Sequence, residues 1–342
     1  MTMKNQIKIG KWGSMLATLF LALSTISCDK SIIYEGEGDC GTYYNISFKY
    51  DYNMKYADAF AKEVRSLMLF VFDANDTLVQ SVTVADEAAL TTKGFSIPLE
   101  LAAGNYELLA WAGLQSGESF SLLANVVEGV TKKQELQVAL NSVAGVSNKD
   151  LKPLFHGAMP LTVTSEPGTY NETMSLVKDT NVIRILLQQS SDTIVAEKFR
   201  FEITADNGLL DYDNSVVAGN DVLYTPWSIS SGSASTASVE ASRADTSVSV
   251  VVAELTINRM IDGKSPILTV WNNEENKKVL SIPIADYALL VKGHYNSQMS
   301  AQEYLDRQDE YNMTFFLDED GSWLSASIIV NSWKVVLNND IL

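Results

Sequence analysis

The 342 residues carry 42 Asp+Glu against 25 Lys+Arg, a net charge of −17, and no lysine–arginine cluster, so a nucleic-acid role lacks its electrostatic footprint. Two Cys and two His leave too few soft ligands for a zinc or iron–sulfur centre, and only oxygen-ligand metal sites stay open. At 46% hydrophobic and 20% charged, the chain is long enough for about two domains, which excludes wholesale disorder. Its 6 Trp and 14 Tyr lie among short alternating segments and point to a β-rich, non-enzymatic protein.

Residues 1–27 read as a targeting segment. Lys4, Lys8 and Lys11 precede a nine-residue apolar run (15–23), and no acidic residue occurs before Asp29. Nine helical residues rise about 14 Å, roughly half of a ~30 Å hydrocarbon core, so the run is a signal-peptide segment and not a span. Small and β-branched residues 24–27 then lead to Cys28. This resembles a bacterial lipoprotein signal, in which cleavage leaves an acylated Cys28 as the new N-terminus. Thr25 stands where a stricter signal has Leu, and the alternative is a secretory peptide cut elsewhere with an ordinary thiol. Losing 1–27 removes three positive charges and takes the net charge from −17 to −20. Repulsion from an anionic surface is screened beyond roughly 8 Å, whereas each buried acyl methylene contributes about 0.8 kcal/mol, so the lipid dominates. With Cys28 acylated, Cys40 is an unpaired thiol, read as structural.

Residues 28–42 are expected to form a tether or edge segment. Segment 44–50 places Ile46, Phe48 and Tyr50 on one face and Ser47 and Lys49 on the other, which predicts a half-buried strand. Residues 57–63 lack Gly, Pro and β-branched side chains and predict a short helix. The apolar 64–73 predicts a central strand with a turn at 74–76. Strands are expected at 77–84, 95–101, 106–112 and 134–140, with 154–157 and 160–164 closing a first half (43–166). Ser165, Glu166, Pro167 and Gly168 mark a linker. A second half (167–342) is expected to contain strands at 174–177, 181–188, 198–204, 250–257, 267–271, 279–284, 311–317 and 327–337. In 198–204, Phe199, Phe201 and Ile203 point inward. A short helix is expected at 301–307, and the Ser/Ala/Gly-rich 228–249 reads as a loop or insertion. The pattern is an all-β fold of two sandwiches in tandem.

Chemistry is sparse. His156 and His294 lie in different halves, and His156 reads as a hydrogen-bonded structural residue. No nucleophile elbow, Walker A or zincin motif occurs, so no catalytic residue, metal site or cofactor is expected. Asp318, Glu319 and Asp320 precede Gly321 and read as a solvated hairpin turn. Residues 73–77 begin like a calcium loop but lack its later Gly and Glu. Trp111 and Trp271 read as core, and Trp227, after Pro226, is the candidate exposed platform for stacking a glycan.

Two segments carry a family resemblance. Beyond Cys28 stand Ser31 to Cys40 (SIIYEGEGDC), the 44–50 strand, Tyr56-Ala57-Asp58-Ala59-Phe60 and Leu69-Phe70-Val71-Phe72-Asp73. At the far end stands Ile328-Ile329-Val330-Asn331-Ser332-Trp333-Lys334-Val335-Val336. The chain thereby resembles the FimB/Mfa-type fimbrial anchor subunits of Bacteroidales. The resemblance implies two transthyretin-like β-sandwiches, an outer-membrane lipid anchor at Cys28, and a cell-surface place at the base of a fimbrium whose length the protein limits. The implied partner is a shaft or basal pilin joined by β-strand complementation, with Ile328, Val330, Trp333, Val335 and Leu337 as contact residues. The alternative is that this segment is the last strand of its own domain. No processing arginine precedes the first body strand, Arg65 being the first arginine, which favours an anchor over a shaft subunit. A surface glycan-binding lipoprotein using Trp227 is the competing reading.

Overall fold

A computed structural model describes residues 41–114, 117–190, 194–236, 246–293 and 296–336, and strands dominate them. The first half lays down β1 (Thr42–Lys49), β2 (Leu67–Phe72), β3 (Leu78–Val84), β4 (Ser96–Leu99), β5 (Gly104–Ala112) and β6 (Phe120–Leu122). It continues with β7 (Val138–Leu140), β8 (Val146–Ser147), β9 (Phe155–Val163), β10 (Gly168–Ser175) and β11 (Val177–Lys178). The second half supplies β12 (Asn181–Gln189), β13 (Phe199–Asp206), β14 (Leu209–Leu210), β15 (Asp221–Tyr224), β16 (Ser228–Thr236) and β17 (Thr246–Ile257). It ends with β18 (Ile267–Asn272), β19 (Lys277–Pro283), β20 (Glu310–Leu317), β21 (Trp323–Val330) and β22 (Trp333–Val336). The helices described are α1 (Phe60–Glu63), α2 (Glu87–Leu90), α3 (Ile284–Leu290) and α4 (Ala301–Arg307).

The first sandwich packs a three-stranded sheet, β10-β1-β4, on a five-stranded one, β11-β9-β5-β2-β3. Alternation decides which side chains meet: Ile46 and Phe48 of β1, Ile97 and Leu99 of β4, and Met174 of β10 face Leu69, Val71, Leu108 and Ala110. The boundary expected at 166/167 moves. β10 returns to pair in parallel with β1 along its whole length, Thr42 opposite Gly168 through Lys49 opposite Ser175. Tyr170 stacks on Tyr44 at 4.9 Å. Residues 168–178 therefore belong to the first sandwich, and 165–167 are the turn that lets the chain double back. The chain passes into the second half at Asp179 and Thr180, both buried. The gap expected at 158–159 also closes: β9 runs unbroken from Phe155 to Val163, with Pro160 on the stretch that β11 leaves unpaired.

The second sandwich sets β16-β17-β12-β20-β21-β22 against β19-β18-β13-β15-β8. Phe199, Phe201 and Ile203 point into its core as their alternation requires. The expected loop at 228–249 is corrected. Residues 228–236 are β16, paired antiparallel with β17 from Ser228 opposite Glu254 to Thr236 opposite Thr246. Ser228–Thr236 carries no alternation because both faces of its first six residues meet solvent, so period two has nothing to report.

The halves are laced together. β8 of the first half adds in parallel to β15, and β14 of the second adds to β7. The central strand β2 of the first half's five-stranded sheet is buried on both faces. Leu67, Leu69 and Val71 enter one core, while Phe70, Phe72, Leu109 and Trp111 enter the cluster that continues into the second sandwich. Removing roughly 200 Å² of an aromatic from water contributes about 5 kcal/mol. Trp111 Nε1 has no partner among the described residues, which costs about 1–3 kcal/mol, so burial wins. His156 sits against Trp111 at 4.6 Å, and its Nε2–H donates to the Tyr212 carbonyl at 2.9 Å across the joint. Burial pushes this imidazole down to about 4. Lys178 spans Glu63 at 3.0 Å and Asp309 at 2.6 Å, and Arg307 lies over the Tyr52 ring at 4.0 Å.

Asp179, at the crossing itself, is fully buried, and burial raises its carboxyl to about 7. Arg259 lies 3.7 Å away but is already committed to a bidentate pair with Asp306, so its charge does not reverse the shift. Asn214 Nδ2 donates to Asp179 Oδ1 at 2.8 Å, and the two atoms left over, Asp179 Oδ2 and Asn214 Oδ1, lack partners among the described residues.

Linkage then gives opposite slopes. Asp179, raised on folding, contributes stability that is full below its unfolded value near 4 and lost as pH rises through 7. His156, lowered on folding, contributes stability that is present above 6.5 and lost as pH falls through 4. We predict one cooperative thermal transition for both halves. Relative to the parent, Asp179→Asn should gain stability as pH rises from 4 to 7, by at most about 1.4 kcal/mol per pH unit, read from melting curves across that range. Two transitions, or a pH-independent difference, would contradict the shared joint.

Candidate functional site

Among the described residues no group of three or more His, Cys, Asp or Glu is placed to hold a metal, and the acidic motifs are consumed by turns. Asp73 Oδ1 accepts from the amides of Asn75 and Thr77 at 2.8 and 2.9 Å. These bonds, the Thr77 amide foremost, hold its carboxyl below the usual range. Asp318 Oδ1 accepts from the Ser322 amide at 2.7 Å, closing the hairpin turn read from sequence. No helix among them is long and apolar enough to cross a membrane.

The tryptophans separate by sheet face. Trp111 is core, as expected, but Trp271 is not. It lies half-buried on the outer face of β18, its indole N–H donating to Glu202 at 2.8 Å, with Arg200 and Lys278 at 5.3 and 5.5 Å from the ring. Leu268 and Val270 take the inward positions of that strand, and the alternation leaves Trp271 outside. Trp227 is 38% exposed immediately before β16.

The C-terminal candidates do not form one surface. Ile328 and Val330 are fully buried in this chain's own core, where β21 pairs with β20 (Met313 opposite Val330, Phe315 opposite Ile328). They hold their own sandwich together, which corrects the expectation that they contact a partner. Segment 327–337 is not one strand: Asn331 and Ser332 adopt φ of 46° and 72° and turn the chain back as β22. Asn331 Oδ1 accepts from the Asn312 amide at 2.8 Å and fixes the turn. An Asn-Ser pair between two apolar runs was the signal for it. Trp333 is 61% exposed on this edge strand, and Val335 packs partly against the core. Cys28, Cys40, His294 and Leu337 lie outside the described residues.

At the other end, the described chain enters directly into β1, the middle strand of its sheet, where the Gly41 carbonyl accepts from the Gly168 amide at 3.0 Å and the Thr42 hydroxyl donates to the Glu166 carbonyl at 3.1 Å.

The family model of the fimbrillin-A associated anchor proteins Mfa1 and Mfa2 matches residues 37–339. The chain belongs to that family. A candidate adhesin from Bacteroides thetaiotaomicron is 35% identical, with 88% of this chain and 99% of the other aligned at TM-score 0.76. A candidate polysaccharide-binding protein from the same species is 28% identical over 87% and 99% of the two chains, at TM-score 0.74. The fimbrial anchor protein Mfa2 from Porphyromonas gingivalis shares the fold at TM-score 0.64 and 15% identity, covering 87% of this chain and 100% of its own. Among curated protein sequences none matches the chain. For this anchor-family member, Ile328→Ala in the isolated protein should cost about 2–5 kcal/mol in denaturant unfolding, because the strand is internal. A change under 0.5 kcal/mol would mean that β21 is not part of the resting core.

Proposed function

We propose that this chain is an outer-membrane lipoprotein, held to membrane lipid by an acylated Cys28, that moors a fimbrium at the cell surface and limits its length. The pilin partner joins through β-strand complementation at a sheet edge. The observation that carries this reading is where the tether leads. In sequence, residues 28–40 precede β1, and β1 is hydrogen-bonded on both sides, to β10 over its full length and to β4 over Tyr44 to Ser47. A pull along the tether loads these rungs together in shear instead of peeling them one by one. More than one acyl chain gives stable anchoring, at about 0.8 kcal/mol per buried methylene.

In cells, Cys28→Ala should move the protein from the membrane to the soluble fraction and release fimbriae of altered length into the medium. Continued membrane retention with fimbriae unchanged would refute the reading.

A second reading, glycan binding, is favoured by the exposed Trp227 and by the polysaccharide-binding description of one relative. It requires glycan-array binding by the purified protein that falls at least tenfold in Trp227→Ala. An array without signal removes it.

A further inference from the structure

The sheet edges of this molecule are not alike. Natural sheets blunt an exposed edge with charge, proline, short length or a covering segment, since unpaired backbone groups recruit other strands. Here β11, β8 and β14 are two residues long, β6 is three, and β4 is four with Pro98. β10 carries the exposed Glu172, and β19 carries Lys277, Lys278 and Pro283. β3 is covered by the segment after β6: the Leu78 amide donates to Thr131 at 2.9 Å, and the Ser81 amide donates to the Glu128 carboxylate at 2.7 Å. β22 is four residues with Lys334 exposed.

Among the described residues β16 has no such charge or proline and no hydrogen-bonded covering segment. It is nine residues long (SISSGSAST), without charge or proline, and among the described residues it pairs only with β17. Among the described residues its inner face is also only partly covered at Ile229. Ile229 stands opposite Ala253, which is fully buried, yet Ile229 itself is 42% exposed. The six-stranded sheet thus reaches one strand farther than the core beneath it covers. Trp227 and Val195, at 38% and 49% exposure, add apolar surface at the start of β16 and just before the 3₁₀ turn Ala196–Lys198, which packs beside it.

We infer that the open edge of β16 is the acceptor for an extended, uncharged segment of the fimbrial subunit, with an apolar side chain of that segment covering Ile229. This rests on the anchor reading above. Only an extended backbone can satisfy a row of outward amides and carbonyls, and one apolar side chain at an alternate position completes the inner face. A second copy of this chain is disfavoured as occupant. Each mature copy carries −20, and β16 offers no cation to offset that repulsion.

The test uses the intact lipoprotein on cells and in purified fimbriae. Amides of residues 228–236 should exchange at least tenfold more slowly in anchor-bearing fimbriae than in the isolated protein. Cells carrying Ile229→Lys, which puts a charge at a position lysine can keep wetted, should retain the protein in the membrane while shedding at least tenfold more fimbrial protein. Should that variant fail to fold, the exchange measurement on the parent decides alone. Free exchange at 228–236 within the complex overturns the edge assignment. So does retention of fimbriae on Ile229→Lys cells when Cys28→Ala cells shed them. Shedding from Trp333→Ala cells with retention on Ile229→Lys cells moves the junction to β22 and likewise overturns it. Retention in Cys28→Ala cells, or fimbriae that never carry the protein, undoes the anchor reading instead and takes this partner with it. Concentration-dependent dimers that Ile229→Lys abolishes would make the occupant a second copy.

Discussion

One five-stranded sheet, whose central strand β2 is buried on both faces, sets the architecture. A sheet at a protein surface can leave one face to water, but β2 cannot, because Leu69, Phe70, Val71 and Phe72 send side chains to both sides and all four are buried. Something must cover each face. The three-stranded sheet through β1 covers one, and on the other Phe70, Phe72, Leu109 and Trp111 join a single cluster with Phe120, Leu136, Val138 and Leu140 of the first half and with the core of the second half. The strand exchanges at β8–β15 and β7–β14 follow as the backbone's share of that contact.

The same constraint explains what could be read from sequence and what could not. Strands with one wet face announced themselves. The segment 199–203 and β20 alternate cleanly, and their burial follows the letters. β2 was legible as central because it is apolar throughout. The errors fall where alternation carries no information or where partners are distant. β16 has no buried face over its first six residues, so Ser and Gly there look like loop composition although the backbone is paired. The Ser165–Gly168 stretch looks like a linker because a tight reversal and a domain boundary use the same residues. Only the distant pairing of β10 with β1 tells them apart. Ile328 and Val330 were legible as apolar edge-filling residues, but their letters do not say whose core they fill.

Polar groups at the joint follow from the burial around them. A two-residue crossing between sandwiches that share a core has to run through the interior, and Asp179 and Thr180 do. An ionised carboxylate there would need a dedicated counter-charge, and Arg259 is held by Asp306. Below neutral pH, Asp179 in its neutral form bonded by Asn214, with neutral His156 bonded to the Tyr212 carbonyl, limits the unpaired charge at the crossing. The two groups respond to acid in opposite senses, so the joint's own pH dependence is smaller than either contributes.

A mechanical role places demands on order as well as on strength. Under the proposed anchoring, load entering at β1 passes to β10 and β4 through rungs along the strand, and from there the first core transmits it to the five-stranded sheet. That sheet shares the second core, whose far layer is the six-stranded sheet ending at β16 and β22. No step in this path depends on an exposed linker, because the covalent crossing is buried and the strand exchanges reinforce it. A pair of sandwiches strung on a flexible connection would extend at the connection first, whatever the stability of each domain. With a common core, the weakest element under load becomes a whole packed interface. A chain whose free energy of folding is modest per residue gains from that arrangement, since resistance then scales with the area that must separate and not with the strength of any one segment.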